Sequence, residues 1–158
     1  MKVFAPGYMA GKWLGEDKGY KVKDGLNRMG VQVDPTCFLC GMADESHDHL
    51  FFDCCYSKLC VHTLQQCLRV SFPVTYLAGW FKRGHDRSKL QRKIICALHV
   101  GLVYAIWKAR NKAQVDISIL CPEVMIKRVM KDGINRSWAR NTGRICQRDL
   151  EWLAYFPM

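Results

Sequence analysis

The stretch DPTCFLCGMADESHDHLFFDCCYSK, residues 34–58, concentrates four of the chain's nine cysteines and two of its five histidines among aromatics and acids. Cys37-Phe-Leu-Cys40-Gly41 has the form of a zinc knuckle. Two intervening residues let both thiolates turn onto one ion, and the glycine after the second cysteine tolerates the backbone conformation that aims amides at the sulfurs. Two further donors follow at closing distance, His49 and Cys54, giving C-x2-C-x8-H-x4-C over residues 37–54. Three thiolates and one imidazole make a closed tetrahedral set, which holds a fold together and leaves no position for substrate.

The spacing also carries a conformational demand. Five residues on a regular α-helix turn through about 500°, which leaves the first and last side chains ~140° apart. His49 and Cys54 therefore need a bend in HLFFDC, with Cys54 near the start of the next helix. By spacing alone Cys55 could replace Cys54, and His47 could replace His49. We prefer His49 because Leu50, Phe51 and Phe52 behind it supply a small apolar core, whereas His47 among Asp and Ser reads as solvated. Cys60, Cys67, Cys96, Cys121 and Cys146 read as buried thiols. A thioredoxin-like redox role for Cys37 and Cys40 lacks its βαβ setting, and thiolates committed to a metal are not free nucleophiles.

The run VDPTCFLCGMADESHDHLFFDCCYSK resembles the zinc-binding domain that follows the reverse transcriptase in plant LINE-type retrotransposon polyproteins. The shared features are the Asp-Pro-x-Cys lead-in, Cys-x-x-Cys-Gly, the Glu-Ser pair, His-Leu-Phe-Phe and a final Cys. KVKDGLNRMG upstream resembles the short helix that precedes such fingers, and VYAIWKARNKA at 103–113 resembles the aromatic and Arg-Asn helix that follows. The resemblance implies one structural zinc on Cys37, Cys40, His49 and Cys54. It also implies a setting in which RNA and target DNA are handled.

Outward from this stretch the chain reads as helical. A short helix is expected at 21–29, ended by Gly30. Ser57 is read as the N-cap of a helix bearing Leu59, Cys60, Leu64, Cys67 and Leu68, and VTYLAGWFKRG as another short helix. Ser88 caps the strongest helix, 89 to about 113, whose apolar face contains Ile94, Ile95, Leu98, Leu102 and Ile106. Its ends are basic, with Lys89, Arg92 and Lys93 before and Lys108, Arg110 and Lys112 after. Pro122 opens a further helix through Trp138, and DLEWLAYFPM reads as a short apolar helix packing back. The fold class is mainly α, a small zinc-knuckle finger followed by a helical bundle. We divide it into an N-terminal arm (1–20), a finger with flanking helices (21–70) and a basic helical region (71–158).

The net charge is +10, unevenly spread. Residues 37–69 hold two Lys/Arg against four acids, and residues 70–113 nine against one. A polyanion should meet the second segment first. Lys82, Arg83, Arg87, Lys89, Arg92 and Lys93, beside Trp80 and Phe81, combine phosphate-pairing cations with stacking rings and are the expected nucleic-acid contacts. Arg136, Arg140, Arg144 and Arg148 recur every four residues and would form a second stripe on a continuous helix.

There is no Tyr-x-Asp-Asp polymerase signature and no glycine-rich phosphate loop. Asp44-Glu45, Asp132 and Asp149 with Glu151 read as solvated surface groups, and His99 as a hydrogen-bonded core histidine. No catalysis is expected. The opening residues lack a signal-peptide core, and the apolar run 94–107 is too short to cross ~30 Å of hydrocarbon. We therefore expect a cytoplasmic or nuclear, non-membrane protein: a non-catalytic zinc-binding module that binds RNA or DNA. The alternative is a co-opted protein-interaction module with the same structural zinc.

Overall fold

A computed structural model of the chain describes residues 22–69, 87–116, 118–140 and 143–156, to which all structural statements here refer. The expected N-terminal arm, the helix at VTYLAGWFKRG and the side chains of Trp80, Phe81, Lys82 and Arg83 lie outside these residues.

Five α-helices occur in order, α1 (Lys23–Arg28), α2 (Cys55–Leu68), α3 (Lys89–Asp116), α4 (Pro122–Ala139) and α5 (Gln147–Ala154), with a π-helical turn at His49–Asp53 before α2. Among the described residues there is no β-strand, only an isolated antiparallel bridge between Thr36 and Asp44.

Helix ends follow local chemistry. Gly30 adopts φ +81° after α1. In that conformation the Gly30 amide reaches the Asn27 carbonyl (3.0 Å) and the Val31 amide the Leu26 carbonyl (3.1 Å), closing a Schellman motif. Ser88 caps α3, its Oγ accepting from the Gln91 amide at 3.0 Å. Pro122 occupies the first turn of α4, where a missing N–H costs nothing. Ser57, by contrast, is no cap. Helix α2 begins two residues earlier, after Cys54, and Ser57 is fully buried with its Oγ donating to the Leu50 carbonyl at 2.6 Å. The widened π turn leaves that carbonyl to be satisfied from the side.

The core is one cluster running from Val22 to Phe156. Ile94, Leu98, Leu102 and Ile106 form the inward stripe of α3. Cys60, Leu64 and Leu68 of α2 and Ile126, Met130 and Ile134 of α4 face it. Helix α4 packs against both α2 and α3. Gly133 marks the closest approach to α3, since a Cβ there would stand 2.6 Å from the Leu98 side chain. Helix α3 is long and apolar enough to cross a membrane by length and composition, yet eleven of its residues are buried against the rest of the chain.

Several surface expectations are corrected. Leu59 is exposed, as are Cys67, Cys121 and Cys146, so only Cys60 among the five isolated thiols is fully buried, with Cys96 intermediate. The arginine stripe does not form, because α4 ends at Ala139 and Arg148 belongs to α5. Asp149 is buried, accepting from Ser88 Oγ (2.5 Å) and the Cys146 amide (3.4 Å), and so ties α5 to the start of α3.

Candidate metal centre

The knuckle is built by backbone hydrogen bonds around Gly41. The Cys37 amide donates to Ala43 O and the Glu45 amide to Pro35 O, both at 2.8 Å, so the chain doubles back beside the Thr36–Asp44 bridge. Gly41 takes φ +65° at the tip, which a side chain would oppose. Asp34 prepares the entry by accepting from the Thr36 amide (3.0 Å) and hydroxyl (2.8 Å).

Ser46 then opens a helical turn, its Oγ accepting from the His49 amide at 3.0 Å. The turn widens into a π-helical segment, sealed by the Cys54 amide donating to His49 O at 2.6 Å. This i→i+5 bond supplies the bend that the spacing required. It carries Cys54 around to the side of His49 and delivers it, with ψ 129°, to the N-terminus of α2.

The ligating atoms of Cys37, Cys40, His49 and Cys54 all lie within 4.8 Å of one another. Cys40 Sγ and His49 Nε2 are 3.3 Å apart. Metal bonds of ~2.0–2.3 Å hold tetrahedral donors within ~4 Å of each other, so the widest pair needs to close by less than about 1 Å. Cys37 and Cys54 are buried and Cys40 and His49 half-buried, which seals the cluster on most sides. None of the nine cysteines is in a disulfide.

One of the sulfurs, Cys54, is also prepared as a thiolate. A hydrogen bond from the Cys37 thiol, helped by the Ser57 and Tyr56 amides at the start of α2, pulls the Cys54 pKa down to about 5 against the opposing effect of burial. The same contact pushes Cys37 up, and burial adds to it, while the Cys40 and Leu39 amides favour its thiolate. One proton shared between two buried sulfurs is what a divalent cation displaces on binding. The donor set and its geometry thus suit one zinc ion, whose chemistry here is to cross-link the knuckle to α2.

The two alternative ligands stand outside. Cys55 is exposed on the first turn of α2, and His47 packs edge-on against Phe51 with ring centroids 6.1 Å apart, partly buried rather than solvated.

Behind the cluster lies a feature that sequence reading missed. Glu45, expected at the surface, is buried and receives Arg110 of α3 through Nε at 2.9 and 3.1 Å and through Nη2 at 2.6 Å. The Lys23 amide of α1 adds a bond at 3.1 Å. Arg110 Nη1 is held by Asn111 (3.2 Å) and Gln114 (2.9 Å). Lys23 is buried too, its Nζ on Thr36 O at 2.5 Å and over the Phe38 ring at 3.5 Å. Arg110 is therefore no part of the basic end of α3. The Glu-Ser pair of the motif now has a role for each member: Glu45 docks the finger on α3, and Ser46 starts the turn that carries His49.

Of the expected nucleic-acid residues, Lys89, Arg92 and Lys93 are exposed on the first turns of α3 and Arg87 is half-buried just before it. Lys82 and Arg83 lie outside the described residues.

No curated protein and no solved structure gives a match to this chain. Residues 7–60, about a third of the chain, match the family described as zinc-binding in reverse transcriptase. All four donors fall inside that span, so the stretch similar to this family is the one that carries the zinc-type donor set.

Proposed function

We propose that the protein is a non-catalytic accessory module, derived from a plant LINE-type element, that binds RNA or DNA through the basic start of α3 while the zinc finger holds that helix in place. The observation that carries this reading is the state of the cations. Lys89, Arg92 and Lys93 are exposed, and among the described residues none is engaged in an ion pair. Residues 87–115 contain no acid at all. Free cations on a rigid helix are suited to phosphates and gain counterion release on binding. The four-donor cluster supports a structural role for the metal, since it leaves no open coordination position. The buried carboxylates Glu45 and Asp149 are committed to internal partners, which speaks against their use in catalysis.

A salt titration of binding to single-stranded and duplex oligonucleotides tests the reading. Affinity in the range of ~1–100 µM near physiological salt, weakening steeply as salt rises and reduced by Lys89, Arg92 and Lys93 to Glu changes, is expected. No binding at low salt would sink it and leave the protein-interaction alternative standing.

A further inference from the structure

The solvent face of α3 departs from what a surface helix normally shows. Such a face is ordinarily polar, with apolar residues confined to the inward stripe. Here Val100 and Tyr104 are 43% and 52% exposed, and Cys96, Val103 and Trp107 beside them are half-exposed. They follow one another at three- and four-residue steps, so they share one face, opposite the buried line of Ile94, Leu98, Leu102 and Ile106.

Cations stand at both ends of this apolar stretch. Lys89, Arg92 and Lys93 lie on one side and Lys108 on the other, all exposed, with Lys112 beyond in a long 3.9 Å contact to Asp116. Lys93 and Lys108 are about 22 Å apart along the axis at ~1.5 Å per residue. Cations alone would suit any polyanion, and a duplex best, because its charge density is higher. A patch of rings and aliphatics alone would suit a protein. Rings bracketed by unpaired cations suit unpaired bases strung on a phosphate backbone, where each ring offers a stacking surface and each cation a phosphate partner.

We propose that the outer face of α3, residues 89–108, is a platform for a single strand of nucleic acid, with the Tyr104 ring stacking on a base and Lys93 and Lys108 pairing with phosphates to either side. This rests on the nucleic-acid reading above and goes beyond it in choosing single strand over duplex. Ring stacking and phosphate pairing do not read the sugar, so DNA and RNA strands bind alike.

The test uses the full zinc-loaded chain with labelled oligo(dT), oligo(rU) and a duplex of equal length at fixed salt. Both single strands should bind more tightly than the duplex. Tyr104→Ala should weaken single-strand binding by about 5- to 100-fold and leave duplex binding unchanged, whereas Tyr104→Phe, which keeps the ring, should bind like the wild type. Tyr104 is more than half exposed, so the variant should melt with the wild type, and a melting curve checks that. Duplex preference, or a Tyr104→Ala variant with wild-type single-strand affinity, would overturn the platform. If Lys89, Arg92 and Lys93 to Glu changes still weaken binding in that case, the general nucleic-acid reading survives. Loss of a concentration-dependent dimer in Tyr104→Ala with oligonucleotide binding intact would give this face to a second copy of the chain. Absence of all binding at low salt removes both readings together.

Discussion

Arg110 of α3 and Glu45 of the finger, 65 residues apart in sequence, form a buried ion pair with Nη2 2.6 Å from Oε1 and side chains 4% and 0% exposed. Two charges leave water here, a cost that their attraction offsets only because the remaining donors are satisfied by Asn111 and Gln114 and the carboxylate also receives the Lys23 amide. The pair fixes the angle at which the metal centre meets the helical bundle.

Removing one partner should therefore be costly. Glu45→Gln or Arg110→Met leaves the other charge buried and uncompensated, and each should destabilise the protein by about 3–5 kcal/mol. The double variant should cost clearly less than the two together. Chemical unfolding of all four proteins gives the coupling directly, and additive losses would show that the pair does not act as a unit.

Metal removal should unfold the finger. Elemental analysis should give one zinc per chain, and either Cys40→Ser or His49→Ala should lose it together with the helical signal of the π turn and the start of α2. Cys55→Ser and His47→Ala should retain it. Stoichiometric metal in the first pair, or its loss in the second, would refute the ligand set.

His99 gives the protein a pH dependence of known sign. Burial holds its pKa down to about 4, partly opposed by the Nδ1–H hydrogen bond donated to Ile95 O at 2.7 Å. The unfolded chain takes up a proton near pH 6.5 that the folded chain refuses until about pH 4. Stability is therefore intact above pH 6.5 and falls as the pH drops toward 4, by about 3 kcal/mol at ~1.4 kcal/mol per pH unit. His99→Leu should lose less stability than the wild type over that window, as measured by urea unfolding at matched pH values. Parallel curves would show that His99 does not titrate in this way.

The helix crossing can be probed at its glycine. A Cβ at Gly133 meets the side chain of the fully buried Leu98, whereas a Cβ at Gly25 in α1 meets nothing within 4 Å. Gly25→Ala should gain up to about 1 kcal/mol from helix propensity. Gly133→Ala should fall below it by about 1–3 kcal/mol because overpacking offsets the same gain. Equal melting shifts would mean that α3 and α4 can separate without strain.

Much of the site was legible because its chemistry is local. The four donors lie within residues 37–54, and counting residues gives the Cys37–Cys40 pair and the need for a bend between His49 and Cys54, while the choice of His49 over His47 and of Cys54 over Cys55 rested on the apolar run behind His49 and on the family resemblance. Helix starts at Ser88 and Pro122 were likewise written in single side chains. The errors came where a residue type has two uses. Ser57 looks like a cap because serine caps helices, yet Cys54 precedes α2 and the Ser57 hydroxyl serves a carbonyl released by the π turn. Cysteine tolerates both burial and exposure, so Cys67, Cys121 and Cys146 carried no signal of their own.

The sequence by itself determined a helical protein with one zinc-type donor set and a basic excess in residues 70–113. Only the tertiary structure decided which charges remain at the surface. Glu45 and Asp149 read as solvated groups and Arg110 as part of a basic helix end, yet all three are buried. Burial of a charge depends on a partner brought from a distant segment by packing, and no local pattern encodes that partner.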